Sequence, residues 1–247
     1  MSELRAVGVE GLPEIEPGAS LGEMIAARAE LEPGDVLVIS QKIVSKAEGR
    51  LRRLSSVIPG AEARKLAAVL GKEPAMVELV LEESSEVLRA EGGVLIVETR
   101  HGFVCANAGI DSSNLPEDDT VCLLPEDADA SARRIRSEIV GKESTIGVVI
   151  SDSFGRAWRL GQSEVAIGCA GLQPLDDWRG RADAHGRELV ATEIAVADEA
   201  AAAADLVRSK DSRVPAVILR GLDRFVSVED GPGAQALRRP RGDDLFR

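Results

Sequence analysis

Apolar side chains in this chain fall into short blocks with two different periods, and most blocks are bounded by Gly, Pro or Asp. Val36 to Val44 (VLVISQKIV) follows the Pro33-Gly34-Asp35 turn and predicts a buried strand. Ala61 to Leu70 and Ala75 to Leu88 predict helices. In the second, Met76, Leu79, Val80, Val87 and Leu88 recur at helical spacing behind Gly71 and Pro74. Val94 to Thr99 and Gly102 to Ala108 are strand-like and hinge at Arg100-His101, and Val121 to Leu124 is a further short strand. Ala128 to Val140 predicts a helix with Arg133, Arg134 and Arg136 in solvent. Thr145 to Ser151 is nearly all apolar, as in a strand covered on both faces. Val165 to Ala170 and Ala216 to Leu219 complete the strands. Between them, Glu188 to Val207 reads as a long Ala-rich helix capped by Asp183.

Strands and helices are intermixed without a regular βαβ rhythm, so the class is α+β, a mixed α/β architecture. No Pro/Gly/Ser-rich linker separates independent domains. The expectation is one catalytic unit over residues 1–247, with two lobes as one arrangement of it.

Composition narrows the functional classes. Of 247 residues, 44% are hydrophobic and 29% charged, which suits a folded globular chain and not a disordered one. No apolar run approaches the ~18 residues of a membrane span. Glu3, Arg5 and Glu10 interrupt the N-terminal stretch, which does not resemble a secretory signal. The cytoplasm is therefore the expected compartment, with no membrane partner. The net charge of −12 argues against a general nucleic-acid binder. An anionic ligand would have to be held by a few placed cations, backbone N–H groups or metal ions. Three cysteines without a CxxC pair exclude a disulfide framework and a cysteine-zinc site. With no tyrosine, four Phe and two Trp, the core must be aliphatic.

Familiar catalytic motifs are missing. There is no GxxxxGK[ST], GxGxxG, HExxH or GxSxG, and His101 and His185 are the only histidines. The remaining chemistry rests on carboxylates, hydroxyls, lysines and hard metal ions. Two segments share a form in which a strand gives way to an acidic residue beside small polar ones: Ala106 to Asn114 and Val148 to Arg156. The carboxylates Asp111 and Asp152, with the adjacent hydroxyls, suit Mg²⁺ or Mn²⁺ and could converge on a triphosphate. The residues equally allow Asp111 and Asp152 to be ordinary turn or cap positions. Gln41 to Arg50 carries lysines that could meet phosphate, or form a solvated basic loop. Arg156 to Gln162 could hold an anion or be a surface loop with a half-buried Trp158. His185 reads as a packing residue before a general base.

Taken in order, QKIVSKAEGR, NAGIDSSN, ISDSFGRAWRLGQ, EVAIGCAG, HGREL, ADEAAAAADL and PAVILRGL resemble the coenzyme F420-0:γ-glutamyl ligases between Gly11 and about Leu222. The closing RRPRGDDLFR is similar to bacterial members. No flavin-binding domain follows, so the resemblance is to the stand-alone form.

That resemblance implies a GTP-dependent ligase that joins L-glutamate, and then further γ-linked glutamates, to the terminal carboxylate of coenzyme F420-0 through an acyl phosphate. It also implies Mg²⁺ or Mn²⁺, two ions per site, K⁺, and an intertwined homodimer with a fold particular to the family. By position, Asp111 and Asp152 match the ligands of one divalent ion, and Ser153 matches a hydroxyl ligand of the second. Leu12, Pro13, Glu14 and Ile15 match a nucleotide-contacting turn, and Gln41, Lys42, Lys46 and Asn114 match further contacts. Arg208 to Val214 matches a loop wrapping the nucleotide, through Ser209 and Lys210. There the chain departs from the pattern: Arg208-Ser209-Lys210 stands where many members carry Met-Gly and an acidic or amide residue. Either Asp211 replaces that ligand, or Lys210 replaces the metal's charge, or the second ion site is weak. Two other readings stay open: the same fold and metals acting on a different acceptor, and a nucleotide-binding homologue without ligation.

Overall fold

The computed structural model describes residues 3–113, 115, 117–139, 145–209 and 211–246. Its elements are β1 (Arg5–Gly8), α1 (Leu21–Ala26), β2 (Val36–Ser40), α2 (Gln41–Ala47), β3 (Leu51–Arg53), α3 (Ala61–Leu70), α4 (Pro74–Glu82), β4 (Ser84–Glu91), β5 (Val94–Thr99), β6 (Val104–Ala106), β7 (Thr120–Cys122), α5 (Ala128–Ile139), β8 (Gly147–Arg156), β9 (Arg159–Ala170), β10 (Asp176–Asp177), β11 (Glu193–Ile194), α6 (Val196–Asp205) and β12 (Ala216–Arg220). The class is α+β, as the intermixed periods predict.

The main sheet has the order β1-β12-β2-β8-β9. Its centre is the parallel pair β2–β8, and the other pairings are antiparallel. Period-two alternation sorts the side chains of this sheet onto two faces. Leu37, Ile39, Val148 and Ile150 meet Leu21 and Ile25 of α1, Ile43 and Val44 of α2, and Ala132 and Ile135 of α5. Val36, Val38, Val149 and Ala166 point the other way, onto Ala197, Ala200, Ala201 and Ala204 of α6. The alanine run thus forms one close-packed face. The contact of β9 with α5 is closer still: a Cβ on Gly168 would fall 2.3 Å from the Ala128 carbonyl oxygen. A third apolar cluster joins α3, α4, β5 and Val121, beside the small sheets β4-β5-β6 and β3-β7.

Six expectations are corrected. The run from Val36 does not continue as a strand to Val44. It turns into α2 at Gln41, where Ile43, Val44 and Ala47 take up helical spacing and bury one face. The helix from Ala75 stops at Glu82, and Val87 and Leu88 lie in β4. Glu83 is buried and receives Arg50 and Arg100 at 3.0 and 2.7 Å, which fixes the chain at the changeover. The strand ending at Ser151 runs on to Arg156, because β9 pairs with it along its whole length. The Ala-rich helix covers only Val196–Asp205; upstream, Val190 is exposed with no face to bury. Asp183 therefore caps no helix. Its Oδ1 accepts the N–H groups of His185 and Arg187 within a turn.

Finally, Arg136 is buried, not solvated. Its guanidinium donates to the carbonyls of Ile146, Ser227 and Val228 and pairs with Asp230 at 2.7 Å. This clamps the 227–230 segment onto the sheet's edge. Arg136→Met leaves those acceptors without their donor, and the expected loss is about 3 kcal/mol, a fall in Tm of about 6–12 °C. Arg134→Ala, on the exposed side of the same helix, should move Tm by less than about 2 °C. Equal thermal shifts for the two variants would contradict the clamp.

Candidate active site

The parallel pair ends in register at Ser40 and Ser151. Beyond that point β2 becomes α2, while β8 continues with β9 as its strand partner. In α/β sheets the carboxyl ends of parallel strands are where ligands collect. Asp152 is the first residue past the parting. By alternation it lies on the α2 face, with Ile150 and Phe154, whereas Ser153 lies on the α6 face with Ser151.

Asp111 reaches the same region by a different route. Asn107, Ala108 and Gly109 all have positive φ (52°, 54° and 69°), a tight left-handed turn that places Asp111 opposite Cys122. Two backbone hydrogen bonds, Asp111 N–H to Cys122 O at 3.0 Å and the reverse at 2.8 Å, pin it there. Non-glycine residues are strained in that conformation, and Asn tolerates it better than Ala.

Lys42 and Lys46 lie one turn apart on α2 and so share a face. Lys42 Nζ is 2.8 Å from Asp111 Oδ2 and donates to Ser113 O and Oγ at 2.7 and 3.0 Å. Lys46 is buried and pairs with the exposed Glu14. That contact ties the 11–15 turn to α2. Leu12 is half-buried, Pro13 exposed, and Ile15 in the core. Gln41 is also buried; its amide nitrogen donates to Ser45 Oγ at 2.7 Å and Leu123 O at 3.0 Å. Asn114 and Lys210 lie outside the described residues.

Charge decides the protonation pattern. Burial acts to raise the Asp111 carboxyl, but Lys42 and Ser113 outweigh it and hold it below its ordinary value. At Asp152 the balance falls the other way. Burial, then the charge of Glu164, then that of Asp111 push it up to about 7, against a hydrogen bond from the Ser153 N–H and the pull of Lys42. Among the described residues Asp152 forms no ion pair. Asp111 and Lys42 thus both act electrostatically on Asp152. Cys105, beside Asp152, is pushed up to about 12 by burial and by that aspartate, so it is a thiol at neutral pH.

Sequence reasoning missed Glu164. It sits directly across from Ser153 in the β8–β9 register, accepts the Ser153 hydroxyl, and pairs with Arg208 at 3.1 Å. The available signal was a charged residue in step with the buried small residues of EVAIGCAG. Ser209 bonds to Asp211 at 2.7 Å, and Asp211 is exposed. Arg156 is engaged by the Leu160 carbonyl of its own turn at 2.6 Å, and Trp158 is exposed.

The donor set at the parting, carboxylates with a hydroxyl, is all oxygen, and it fits a hard divalent cation better than zinc or copper. Among the described residues no group of three or more His, Cys, Asp or Glu is arranged to hold a metal. Such an ion would take its remaining ligands from phosphate oxygens and water, as Mg²⁺ commonly does. Among the same residues no helix is long and apolar enough to cross a membrane.

Residues 11–221 match the family model of F420-0:gamma-glutamyl ligase. The chain is 45% identical to coenzyme F420:L-glutamate ligase of Methanothermobacter thermautotrophicus over 98% of each chain. It is 44% identical to the protein of that name in Methanopyrus kandleri over the full length of both. For Archaeoglobus fulgidus the identity is 46%, over 97% of this chain and 94% of the relative.

A carboxyl raised from its ordinary value near 3.8 to about 7 keeps a proton in the folded chain that the unfolded chain releases. Stability therefore falls as pH rises through that window and stays lower above it. Asp152→Asn removes the effect, so its Tm should exceed that of the parent by about 9–17 °C at pH 8 and match it at pH 4. Equal Tm values at both pH values would refute the raised carboxyl.

Proposed function

The chain belongs to the F420-0:gamma-glutamyl ligase family, and on that premise we propose that it is a GTP-dependent ligase that adds L-glutamate, then further γ-linked glutamates, to the terminal carboxylate of coenzyme F420-0. The observation that carries this reading is the ion pair of Lys42 on α2 with Asp111, with the buried Asp152 carboxyl under the electrostatic influence of both.

The reaction needs a triphosphate held still and a carboxylate brought to its last phosphorus. Lys42 and Lys46 are the cations for the phosphate tail, and their present partners Asp111 and Glu14 keep both ammoniums oriented along one helix face. The 11–15 turn, Asn114, Ser209 and Lys210 would enclose the nucleotide; Gln41, itself in the core, would act by supporting α2. The acceptor carboxylate attacks the terminal phosphorus and the nucleoside diphosphate leaves. The glutamate amine then attacks the acyl phosphate carbon, and inorganic phosphate leaves with the C–O bond. Asp111 and Asp152 would hold one Mg²⁺ or Mn²⁺, and Ser153 with Asp211 a second, with K⁺ as a further ion. Bound there, such ions supply charge neutralisation on the triphosphate. A carboxylate like Asp152, raised first by burial and then by its acidic neighbours, gains most from a cation, which is why it is the residue whose loss should matter most. The exposed Trp158, Leu160, Leu245 and Phe246, with Trp158 and Phe246 rings 6.1 Å apart, support a homodimer contact at the β8–β9 turn. We place the reaction in the cytoplasm.

Incubated with GTP, Mg²⁺ or Mn²⁺, L-glutamate and F420-0, the protein should yield products heavier by glutamate residues, with ATP run in parallel. Mass spectra containing only the starting acceptor would overturn the reading. Asp152→Ala should lower turnover by at least ~100-fold. Lys46→Ala should weaken GTP binding by about 10–30-fold in calorimetry; an unchanged Kd removes Lys46 from the phosphate site.

A further inference from the structure

The closing arginine run, Arg238, Arg239 and Arg241, has no part in the reaction as described, yet it reaches β8 by way of two phenylalanines. The root of this strap is fixed. Asp129 of α5 accepts the N–H of Cys169 in β9 at 2.8 Å and that of Ala234 at 2.7 Å, and Ala234 is fully buried. Four residues on, Arg238 donates to the carbonyl of His101, in the turn between β5 and β6. Its guanidinium carbon also stands 6.0 Å from the centroid of the Phe103 ring. Gly102 permits that approach, since a Cβ there would fall 2.8 Å from Arg238 Nη1. Phe103 in turn meets Phe154 edge to face, with centroids 6.2 Å apart and planes at 81°. Phe154 lies two residues beyond Asp152, on the same face of β8.

The need for these contacts follows from what β8 lacks. Past Ser151 it has left β2, and as far as Arg156 its strand partner is β9. A two-stranded ribbon is marginal by itself and depends on packing against the body of the protein. Between Asp152 and Gln162 the apolar side chain that packs on the core is Phe154. Leu160 is 97% exposed, and Trp158 meets Phe246 of the strap through rings that are 81% and 74% exposed. The Phe103–Phe154 contact therefore carries most of the ribbon's attachment on the Asp152 side. Magnitudes pick out Arg238 as the strap residue that secures it. Arg241 pairs with Glu86 and Glu98, at 2.6 and 3.8 Å, through a guanidinium in solvent, and such pairs contribute little. Arg238 engages the backbone and the ring of one turn together, which fixes where that ring sits.

We propose that Arg238 is a positioning residue: it holds Phe103 onto Phe154, and so holds the free part of β8, with Asp152 on it, in place for the reaction. Arg238 does not touch the reacting groups; its effect passes through the two rings. The consequence for turnover rests on the ligase reading above, whereas the brace itself does not.

The test is hydrogen exchange of the full chain, read by mass spectrometry over peptides covering 152–165, beside ligation rates. Arg238→Met keeps the bulk of the stem but neither the charge nor the donor. It should speed exchange over 152–165 by about 10-fold and leave peptides of β2 and β12 at the parent rate. Phe103→Leu should have a similar effect, and the double variant should exceed either by less than about 2-fold, because both cut one line of contacts. Arg238→Lys retains a cation and a donor and should restore most of the protection. In the ligation assay kcat of Arg238→Met should fall by about 10-fold, and that of Arg238→Lys should return to within about 3-fold of the parent. Parental exchange over 152–165 in Arg238→Met would overturn the proposal. So would an equal rise in β2 and β12, which marks general loosening. Faster exchange over 152–165 with undiminished kcat would overturn the positioning role and leave the ligase reading standing. A parent chain that ligates no glutamate would remove that reading, and the exchange comparison would then decide the brace by itself.

Discussion

The parting of β2 and β8 is the constraint on which the site depends. Two parallel strands hydrogen-bonded through Ser40↔Ser151 separate at that point because one coils into α2 and the other stays extended against β9. The separation exposes an edge of β8 where Asp152 stands, and it sets the start of a helix beside it that carries Lys42 and Lys46. Both outcomes follow from packing. Ile43, Val44 and Ala47 need the α2 face of the sheet, and β9 needs a partner for its full length. A site built this way is positioned by the core, since α2 could not shift without uncovering Leu37, Ile39 and Ile150.

The charge economy of the chain sharpens the same point. At −12 it has few cations to spare, and those near the site already face carboxylates: Lys42 with Asp111, Lys46 with Glu14, Arg208 with Glu164. Each lysine is held by an acid that a phosphate could replace. The arrangement keeps ammoniums from collapsing onto the wrong acceptor, at the cost of a competition that any anionic ligand must win. Asp152, which forms no ion pair among the described residues, is the opposite case. Its charge is opposed by burial, by Glu164 and by Asp111.

Much of this was legible beforehand. Ala61–Leu70 and Val94–Thr99 emerge at their expected bounds because their periods are clean and glycine closes the helix. The failures share a cause. VLVISQKIV looks like one apolar run because a buried strand and a buried helix turn both consist of branched aliphatic residues, and the period changes within too few positions to register. Val87 and Leu88 fit a helix by spacing and a strand by chemistry, and Glu83 decides between them through two arginines distant in sequence. Arg136 reads as surface because an arginine's burial depends on acceptors 91 to 94 positions away, which no local pattern reveals.

Glu164 is the most instructive omission. Read along β9, it breaks a run of small buried residues and looks like a position where polarity is merely tolerated. Read across the sheet, it opposes Ser153 and meets an arginine delivered by the end of α6. Asp152 and Ser153 are adjacent in sequence yet face opposite sides of β8, so a ligand that engages both must grip the strand's edge, not one of its faces. β8 is free of β2 from residue 152 onward, and the two faces have separate surroundings: α2 with Lys42 and Asp111 on one, Glu164 and Arg208 on the other. The strand alternation that divides two neighbouring residues in this way is also what hides the arrangement from a linear reading.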